Sequence, residues 1–149
     1  MAARGVAAAF GGGVYIADTS AWQRAALEPV ADEWRDAVAA GQIVTTPIVR
    51  MELLYATRTS DEFDDFDRLL RQLREVPIKR SVTDAAIAAM TELATRWPLS
   101  HRVPVPDLLV AAAAQDVAIG VIHYDHHYDR LADVMSFESR WIAPPGTLT

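Results

Sequence analysis

The chain has 149 residues, a length that suits a single domain with a core of its own. Its formal net charge of −6 is not typical of a protein that binds nucleic acid, and the absence of cysteine excludes disulfides and thiolate metal sites. No apolar run approaches the roughly 20 residues that a membrane-spanning helix needs, so we expect a cytoplasmic protein with no membrane contact.

The first residues are rich in Gly and Ala, and we expect 1–13 to form a disordered extension before a domain at 14–143 and a loose tail at 144–149. Apolar runs predict strands at 14–17, 43–45, 76–78 and 118–122, and an edge strand at 135–137. Caps and helical spacing predict helices at 21–27, 30–40, 47–57, 61–74, 108–117 and 126–132, and another that ends at Trp97.

The order of these elements predicts an α/β fold. Strands alternate with helices, and the predicted strands are continuous apolar runs. This pattern is typical of a mainly parallel central sheet that helices flank on both faces. In such sheets, functional sites form beyond the carboxyl ends of the strands.

Acidic residues occur at four positions where carboxylates are unusual: Asp18, Glu52, Asp107 and Asp125. Asp18 and Asp125 follow apolar strands, Glu52 lies inside an apolar helix, and Asp107 opens an alanine-rich helix. Each alone has an ordinary explanation, such as a helix cap, or a salt bridge between Glu52 and Arg50. Brought together, however, the four charges would need a compensating cation, and oxygen-only ligands favour Mg²⁺ or Mn²⁺. The set therefore predicts metal-dependent phosphodiester chemistry.

Two alternatives belong to other classes of site. The histidine-rich segment 123–129 suggests Zn²⁺, but His126 and His127 are adjacent and their side chains would point apart. A response-regulator receiver domain also has an aspartate at a strand end. That class needs a lysine at the end of a late strand, and the only lysine, Lys79, lies elsewhere.

The segments 14–20, 46–54, 105–114 and 121–125, which contain the four acids in order, resemble PIN-domain ribonucleases. More closely, they are similar to VapC toxins of bacterial toxin–antitoxin pairs. The resemblance implies a PIN fold and Mg²⁺- or Mn²⁺-dependent endonucleolytic cleavage of RNA, often a structured RNA such as tRNA. It also implies a homodimer, and a VapB-type antitoxin that neutralises the toxin's inhibition of translation and growth.

The resemblance assigns the family's acidic quartet, as catalytic and metal-binding residues, to Asp18, Glu52, Asp107 and Asp125. Ser20 matches the family's usual hydroxyl, which would orient Asp18. Many relatives carry a further Asp at the position of His127, and this difference could alter the metal preference or the pH profile.

Other polar residues near the acidic segments are candidates for supporting roles. Asp129 is a candidate for metal contact through a water molecule. Arg24, Arg102 and Arg130 are candidates for contacts with the RNA backbone, since arginine suits phosphate recognition. Within the family, the alternative is a degenerate PIN domain that binds partners without catalysis.

Overall fold

The structure is a computed structural model, and it describes residues 8–148. Its helices are α1 (Thr19–Trp22), α2 (Glu28–Ala39), α3 (Pro47–Tyr55), α4 (Ser60–Leu70), α5 (Arg80–Arg96), α6 (Val105–Asp116) and α7 (His127–Ala132). Its strands are β1 (Tyr15–Ala17), β2 (Ile43–Val44), β3 (Gly120–His123) and β4 (Ser139–Trp141). Among the described residues, none of the helices combines the length and the apolar composition that crossing a membrane requires.

The four strands form one parallel sheet in the order β2–β1–β3–β4. Tyr15 of β1 pairs with Ile43 of β2 on one side and with Gly120 of β3 on the other. A β-carbon at Gly120 would lie 2.7 Å from the Tyr15 ring and 2.8 Å from the carbonyl oxygen of Glu138, so only glycine fits there. The predicted parallel α/β fold is confirmed.

Alternate residues of the strands face two separate cores. Ile16 and Val121 pack with buried residues of α3, α5 and α6 on one face of the sheet. Tyr15 and Ile122 pack with α1 and α2 on the other face. Helices therefore cover both faces, as the continuous apolar strands predict.

The residues just before β1 differ from the predicted disordered extension. A 3₁₀ turn spans Ala9–Gly12, and the side chain of Phe10 is only 2% exposed. The Phe10 N–H donates to the Glu33 carboxylate at 2.9 Å, and the Gln42 side-chain amide donates to the carbonyl of Ala9 at 2.7 Å. Residues 8–13 thus cover one edge of the core with their apolar and backbone groups. The rest of the predicted extension, 1–7, lies outside the described residues.

Replacing Phe10 by Ala is expected to lower the free energy of unfolding by about 3 kcal/mol, because a buried aromatic side chain would leave a cavity. Urea unfolding followed by circular dichroism measures the change. The matched control is Phe63→Ala, since Phe63 is 42% exposed and its removal should have a much smaller effect. Equal losses in the two variants would show that Phe10 does not pack on the core.

The C-terminal segment also differs from its prediction as a loose tail. The Tyr124 hydroxyl accepts a hydrogen bond from the Leu148 N–H at 2.8 Å and donates to the Leu148 carbonyl at 3.2 Å. Leu148 is partly buried against the core that contains Tyr15. The residues up to Leu148 are therefore attached to the domain, and Thr149 lies outside the described residues.

Two predicted strands differ from those of the structure. At 76–78 there is no strand, and the only pairing nearby is a single parallel bridge between Thr45 and Glu75. The edge strand forms at Ser139–Trp141 instead of 135–137. Met135 and Phe137 pack against the core as turn residues, so their hydrophobicity reflects burial and not strand pairing.

Two helices begin earlier in the structure than the sequence predicts. α1 begins at Thr19, with Asp18 as its N-cap, and ends at Trp22. It is therefore shorter than the helix predicted at 21–27 and starts before it. α6 begins at Val105, and Asp107 therefore lies in its first turn. This position matters for function, because Asp107 lies at the positive end of the helix dipole and close to the edge of the sheet.

Candidate metal centre

The carboxyl ends of β1 and β3 lie side by side and carry the first and last of the predicted acids. The Asp18 N–H donates to the carbonyl of Ile122 at 2.9 Å, which extends the pairing of the two strands. One residue beyond β3, the Tyr124 N–H donates to the Ser20 hydroxyl at 2.9 Å. These two bonds fix the segments that bear Asp18 and Asp125 relative to each other.

Asp18 is nearly buried, at 5% exposure, and both of its carboxylate oxygens accept hydrogen bonds. Oδ2 accepts from the Ser20 N–H at 3.0 Å and from the Ser20 hydroxyl at 2.6 Å. Oδ1 accepts from the Tyr128 hydroxyl at 2.6 Å. Asp18 caps α1 and also faces the predicted site, so its two interpretations from the sequence are compatible.

Asp107, Asp125 and His127 form the tightest group of potential ligands among the described residues. Their three ligand atoms all lie within 4.8 Å of one another. Nδ1 of His127 is 3.0 Å from Oδ2 of Asp107 and 3.2 Å from Oδ1 of Asp125. The Tyr128 hydroxyl joins this group to Asp18, because it also lies 3.5 Å from Oδ1 of Asp107. Three of the four predicted acids therefore meet at one edge of the sheet.

Glu52 lies at the margin of this group. It projects from α3, and its Oε1 accepts a hydrogen bond from the Thr19 hydroxyl at 2.9 Å. Because Thr19 directly follows Asp18, Glu52 is held beside the site, although it is not part of the group formed by Asp107 and Asp125. The structure gives it a defined partner in place of the Arg50 salt bridge considered above, since Arg50 pairs with Asp67 and Glu75.

The pKa of Asp107 reflects its burial and the carboxylates nearby. Burial, followed by the negative charge of Asp18, raises the pKa of Asp107 from 3.8 to about 6, although the hydrogen bond from His127 acts in the opposite direction. A carboxylate group under such repulsion gains from a nearby cation. The carboxylate oxygens of this group fit a divalent ion such as Mg²⁺ or Mn²⁺.

Replacing Asp107 by Asn should stabilise the metal-free protein at neutral pH, on the order of 1 kcal/mol. The raised pKa means that the folded protein holds one proton more than the unfolded chain between pH 3.8 and about 6, so wild-type stability falls as the pH rises through this window. The variant lacks that dependence. Thermal unfolding in EDTA across this pH range should show that the stability advantage of the variant grows toward pH 6 and is absent below pH 4. A constant difference would contradict the raised pKa of Asp107.

The sequence model of the PIN domain family matches residues 15–134, which is most of the chain. The chain belongs to the PIN-domain family. It is 38% identical to "Ribonuclease VapC18" of Mycobacterium tuberculosis over 136 residues, which cover 91% of this chain and 99% of that protein. It is 29% identical to "Ribonuclease VapC51" of the same organism over 134 residues, which cover 90% and 96%.

Solved structures agree with this PIN assignment. The VapBC-5 structure from Mycobacterium tuberculosis matches with a TM-score of 0.62 at 20% identity, covering 87% of this chain and 98% of that chain. The DNA-bound VapBC structure from Salmonella typhimurium matches with a TM-score of 0.67 at 16% identity, covering 85% and 97%. At these identities the likeness establishes the PIN fold, and the sequence relatives place this PIN domain with the VapC-type proteins.

Tyr128 is a residue of this PIN domain that the sequence did not single out. Its side chain is fully buried, and burial, followed by the charges of Asp18 and Asp107, raises its pKa well above 10. The hydroxyl therefore stays protonated and serves as a donor to Asp18. A tyrosine three residues after Asp125 has the spacing of an ordinary core residue on α7, so nothing in the sequence sets it apart.

A buried histidine holds the loop that carries Asp125. Nδ1 of His123 accepts the Asp125 N–H at 3.1 Å, so the proton of the neutral ring lies on Nε2, which is 2.7 Å from the Ser139 hydroxyl. Burial lowers the pKa of His123 to about 4 and keeps the ring neutral. His123 and His127 are four residues apart, but both ring nitrogens of His123 are engaged, which leaves no place for a shared Zn²⁺ ion.

Asp129 belongs to the same network and not to the acidic group. Its carboxylate accepts hydrogen bonds from the Ser139 hydroxyl at 2.7 Å and from the Trp141 indole at 2.9 Å. Burial raises the pKa of Asp129, but these two hydrogen bonds and the nearby histidines together lower it more, so the net shift is downward. The structure thus ties Asp129 to β4, where it supports His123, and its contact with a metal through a water molecule stays a prediction.

The three candidate arginines differ in their surroundings. Arg24 donates to the Ser20 carbonyl at 3.0 Å and stacks over the Tyr124 ring, with its guanidinium carbon 4.4 Å from the ring centroid. It therefore lies at the rim of the acidic group. Arg102 and Arg130 are exposed, in the segment before α6 and on α7 respectively.

A cavity of about 660 Å³ lies away from the acidic group. It opens at the amino end of β3, where Gly13, Gly120 and Met135 contribute to its lining. Because the carboxylates converge at the opposite end of the same strand, we place the candidate site with them and not with the cavity.

Proposed function

We propose that this PIN domain is a metal-dependent endoribonuclease, the toxin of a type II toxin–antitoxin pair. Its expected target is tRNA or another structured RNA, whose cleavage would inhibit translation and growth in the cytoplasm until a VapB-type antitoxin neutralises the toxin. The observation that carries the proposal is the convergence of Asp18, Asp107 and Asp125 at the ends of β1 and β3. Relatives named as VapC ribonucleases support it.

The side chains around the site have distinct roles in this proposal. Asp107 and Asp125, with Asp18 and Glu52 beside them, would hold Mg²⁺ or Mn²⁺. When bound, the divalent ion supplies Lewis-acid chemistry that activates water and offsets the negative charge developing at the phosphate. Ser20 and Tyr128 each donate a hydrogen bond to Asp18 and so fix the direction of its two oxygens.

Contacts with the RNA backbone would come from arginine at the rim of the site. Arg24, Arg102 and Arg130 supply positive charge on a chain whose net charge is −6. Binding that depends on such contacts weakens as salt concentration rises. Target choice would then come from the shape and the unpaired bases of the RNA and not from these contacts.

A homodimer contact would form on α2 and α4, where Trp22, Trp34 and Leu69 line an apolar groove with a volume of about 350 Å³. The VapB-type antitoxin would place its C-terminal segment in the acidic site. The VapBC-5 structure, which shares this fold, belongs to a family of toxin–antitoxin systems, and this supports a partner of this kind.

The experiment that tests the proposal is cleavage of total tRNA and of mRNA by purified, antitoxin-free protein. Reactions contain Mg²⁺, Mn²⁺ or EDTA, and products are resolved on denaturing gels. Discrete fragments that require the metal are expected, and their ends identify the target. Divalent-metal binding by folded protein without cleavage of any RNA would favour the degenerate PIN domain that acts only as a binding module.

A further inference from the structure

The Nδ1 atom of His127 lies between two carboxylates, at a point where a metal ligand would lie. Its Nδ1 lies 3.0 Å from Asp107 Oδ2 and 3.2 Å from Asp125 Oδ1. Ligands on neighbouring corners of an octahedron, each about 2.1 Å from the ion, are roughly 3 Å apart. The two distances from His127 Nδ1 therefore match the separation of neighbouring ligands on a shared ion, and the three ligand atoms all lie within 4.8 Å of one another.

The backbone fixes the direction of the His127 ring. The His127 N–H donates to Asp125 Oδ1 at 3.0 Å, so the residue begins α7 with its side chain turned toward the acidic group. The ring stays 40% exposed on its outer side. An ordinary histidine–carboxylate pair would need only one oxygen partner, whereas here a single nitrogen faces two oxygens of different residues and can donate one proton at most.

We propose that His127 is a nitrogen ligand of the divalent ion, and that it makes this site select Mn²⁺ over Mg²⁺. This inference rests on the proposed metal-dependent function. Mg²⁺ prefers a near-ideal set of oxygen ligands and retains its waters. Mn²⁺ also binds oxygen ligands, but as a first-row transition metal it accepts an imidazole nitrogen more readily than Mg²⁺ does. Exchange of a carboxylate for imidazole also removes a negative charge, which weakens the attraction for a hard ion more than for one that accepts nitrogen. Relatives with Asp at this position would lack the preference.

Electron spin echo spectroscopy of the Mn²⁺-loaded protein detects a nitrogen ligand directly, without any assay of activity. We expect the wild-type protein to show a ¹⁴N coupling that becomes a ¹⁵N coupling when only histidine is labelled. His127→Asp should lose it, and the ratio of the Mg²⁺ to the Mn²⁺ dissociation constant, measured by calorimetry, should fall at least about tenfold. The matched control is His126→Asp, since the exposed His126 undergoes the same change one residue away.

The outcomes separate this inference from the proposed function. Mn²⁺ binding by the wild-type protein without a histidine coupling overturns the role of His127 and leaves the metal centre intact. Failure of folded wild-type protein to bind either ion overturns both. The spectrum of the histidine-labelled wild-type protein shows whether a histidine binds the ion even if His127→Asp does not fold. Loss of the coupling in His126→Asp but not in His127→Asp would overturn the proposal, because the nitrogen ligand would then be His126.

Discussion

Asp18→Asn is expected to reduce RNA cleavage on the order of a thousand-fold, equivalent to about 4 kcal/mol of transition-state stabilisation. The carboxylate is nearly buried, and both its oxygens are directed by the hydroxyls of Ser20 and Tyr128. Asparagine keeps the shape but not the charge that would bind the ion. It also caps a helix as well as aspartate does, so α1 should persist. Initial rates on the identified RNA measure the effect.

The control for this variant is Asp133→Asn, which removes a carboxylate that is exposed at the end of α7. It should cleave RNA at the wild-type rate. Circular dichroism and thermal unfolding establish that both variants are folded. Cleavage by Asp18→Asn at the wild-type rate, with the same dependence on metal, would refute the assignment of Asp18 to the metal centre.

Tyr128→Phe should have the second-largest effect, because one hydroxyl supports Asp18 and also lies near Asp107. Loss of a hydrogen bond to a buried charged group lowers the free energy of unfolding by about 1.5–3 kcal/mol. Loss of a partner that orients a metal ligand typically reduces metal affinity or activity by about 10–100-fold. Phenylalanine preserves the packing of the ring, which stacks on His123 with centroids 4.9 Å apart. Urea unfolding and cleavage rates report the two effects.

Tyr124→Phe is the matched control. The Tyr124 hydroxyl bonds only to the backbone of Leu148 among the described residues, so its removal should loosen the C-terminal segment and leave cleavage close to wild type. A metal titration of Tyr128→Phe that gives the wild-type affinity and rate would show that the hydroxyl stabilises the fold without positioning Asp18.

The local sequence pattern predicts the fold class and the positions at which acidic residues follow two strands. Apolar runs that alternate with helical spacing report burial within a few residues of chain, and coverage of both faces indicates a parallel sheet. The tertiary structure decides that β1 and β3 are neighbours in that sheet. Because Asp18 and Asp125 follow those strands, their meeting is a consequence of topology. Asp107 opens a helix whose buried alanines pack near the sheet, so it arrives at the same edge.

The pattern failed where burial and strand pairing diverge. Phe10 lies among glycines and alanines that resemble a flexible segment, yet it fills a space beside Trp34 that only the folded core defines. Likewise, 135–137 is apolar because it packs inward, while the pairing edge is built from the more polar Ser139 and Arg140. The hydrophobic periodicity of a few consecutive residues specifies neither the burial of Phe10 nor the position of the edge strand.

The sequence alone determined the parallel α/β fold and the identities and chain positions of the acidic residues, because these depend on local burial patterns. Only the tertiary structure decided which neutral and nitrogen-bearing side chains surround them. Tyr128 reaches Asp18 across 110 positions of the chain, and His127 reaches Asp107 across 20. Contacts of this kind depend on the path of the whole backbone and on 3 Å distances, and no spacing within one segment specifies them.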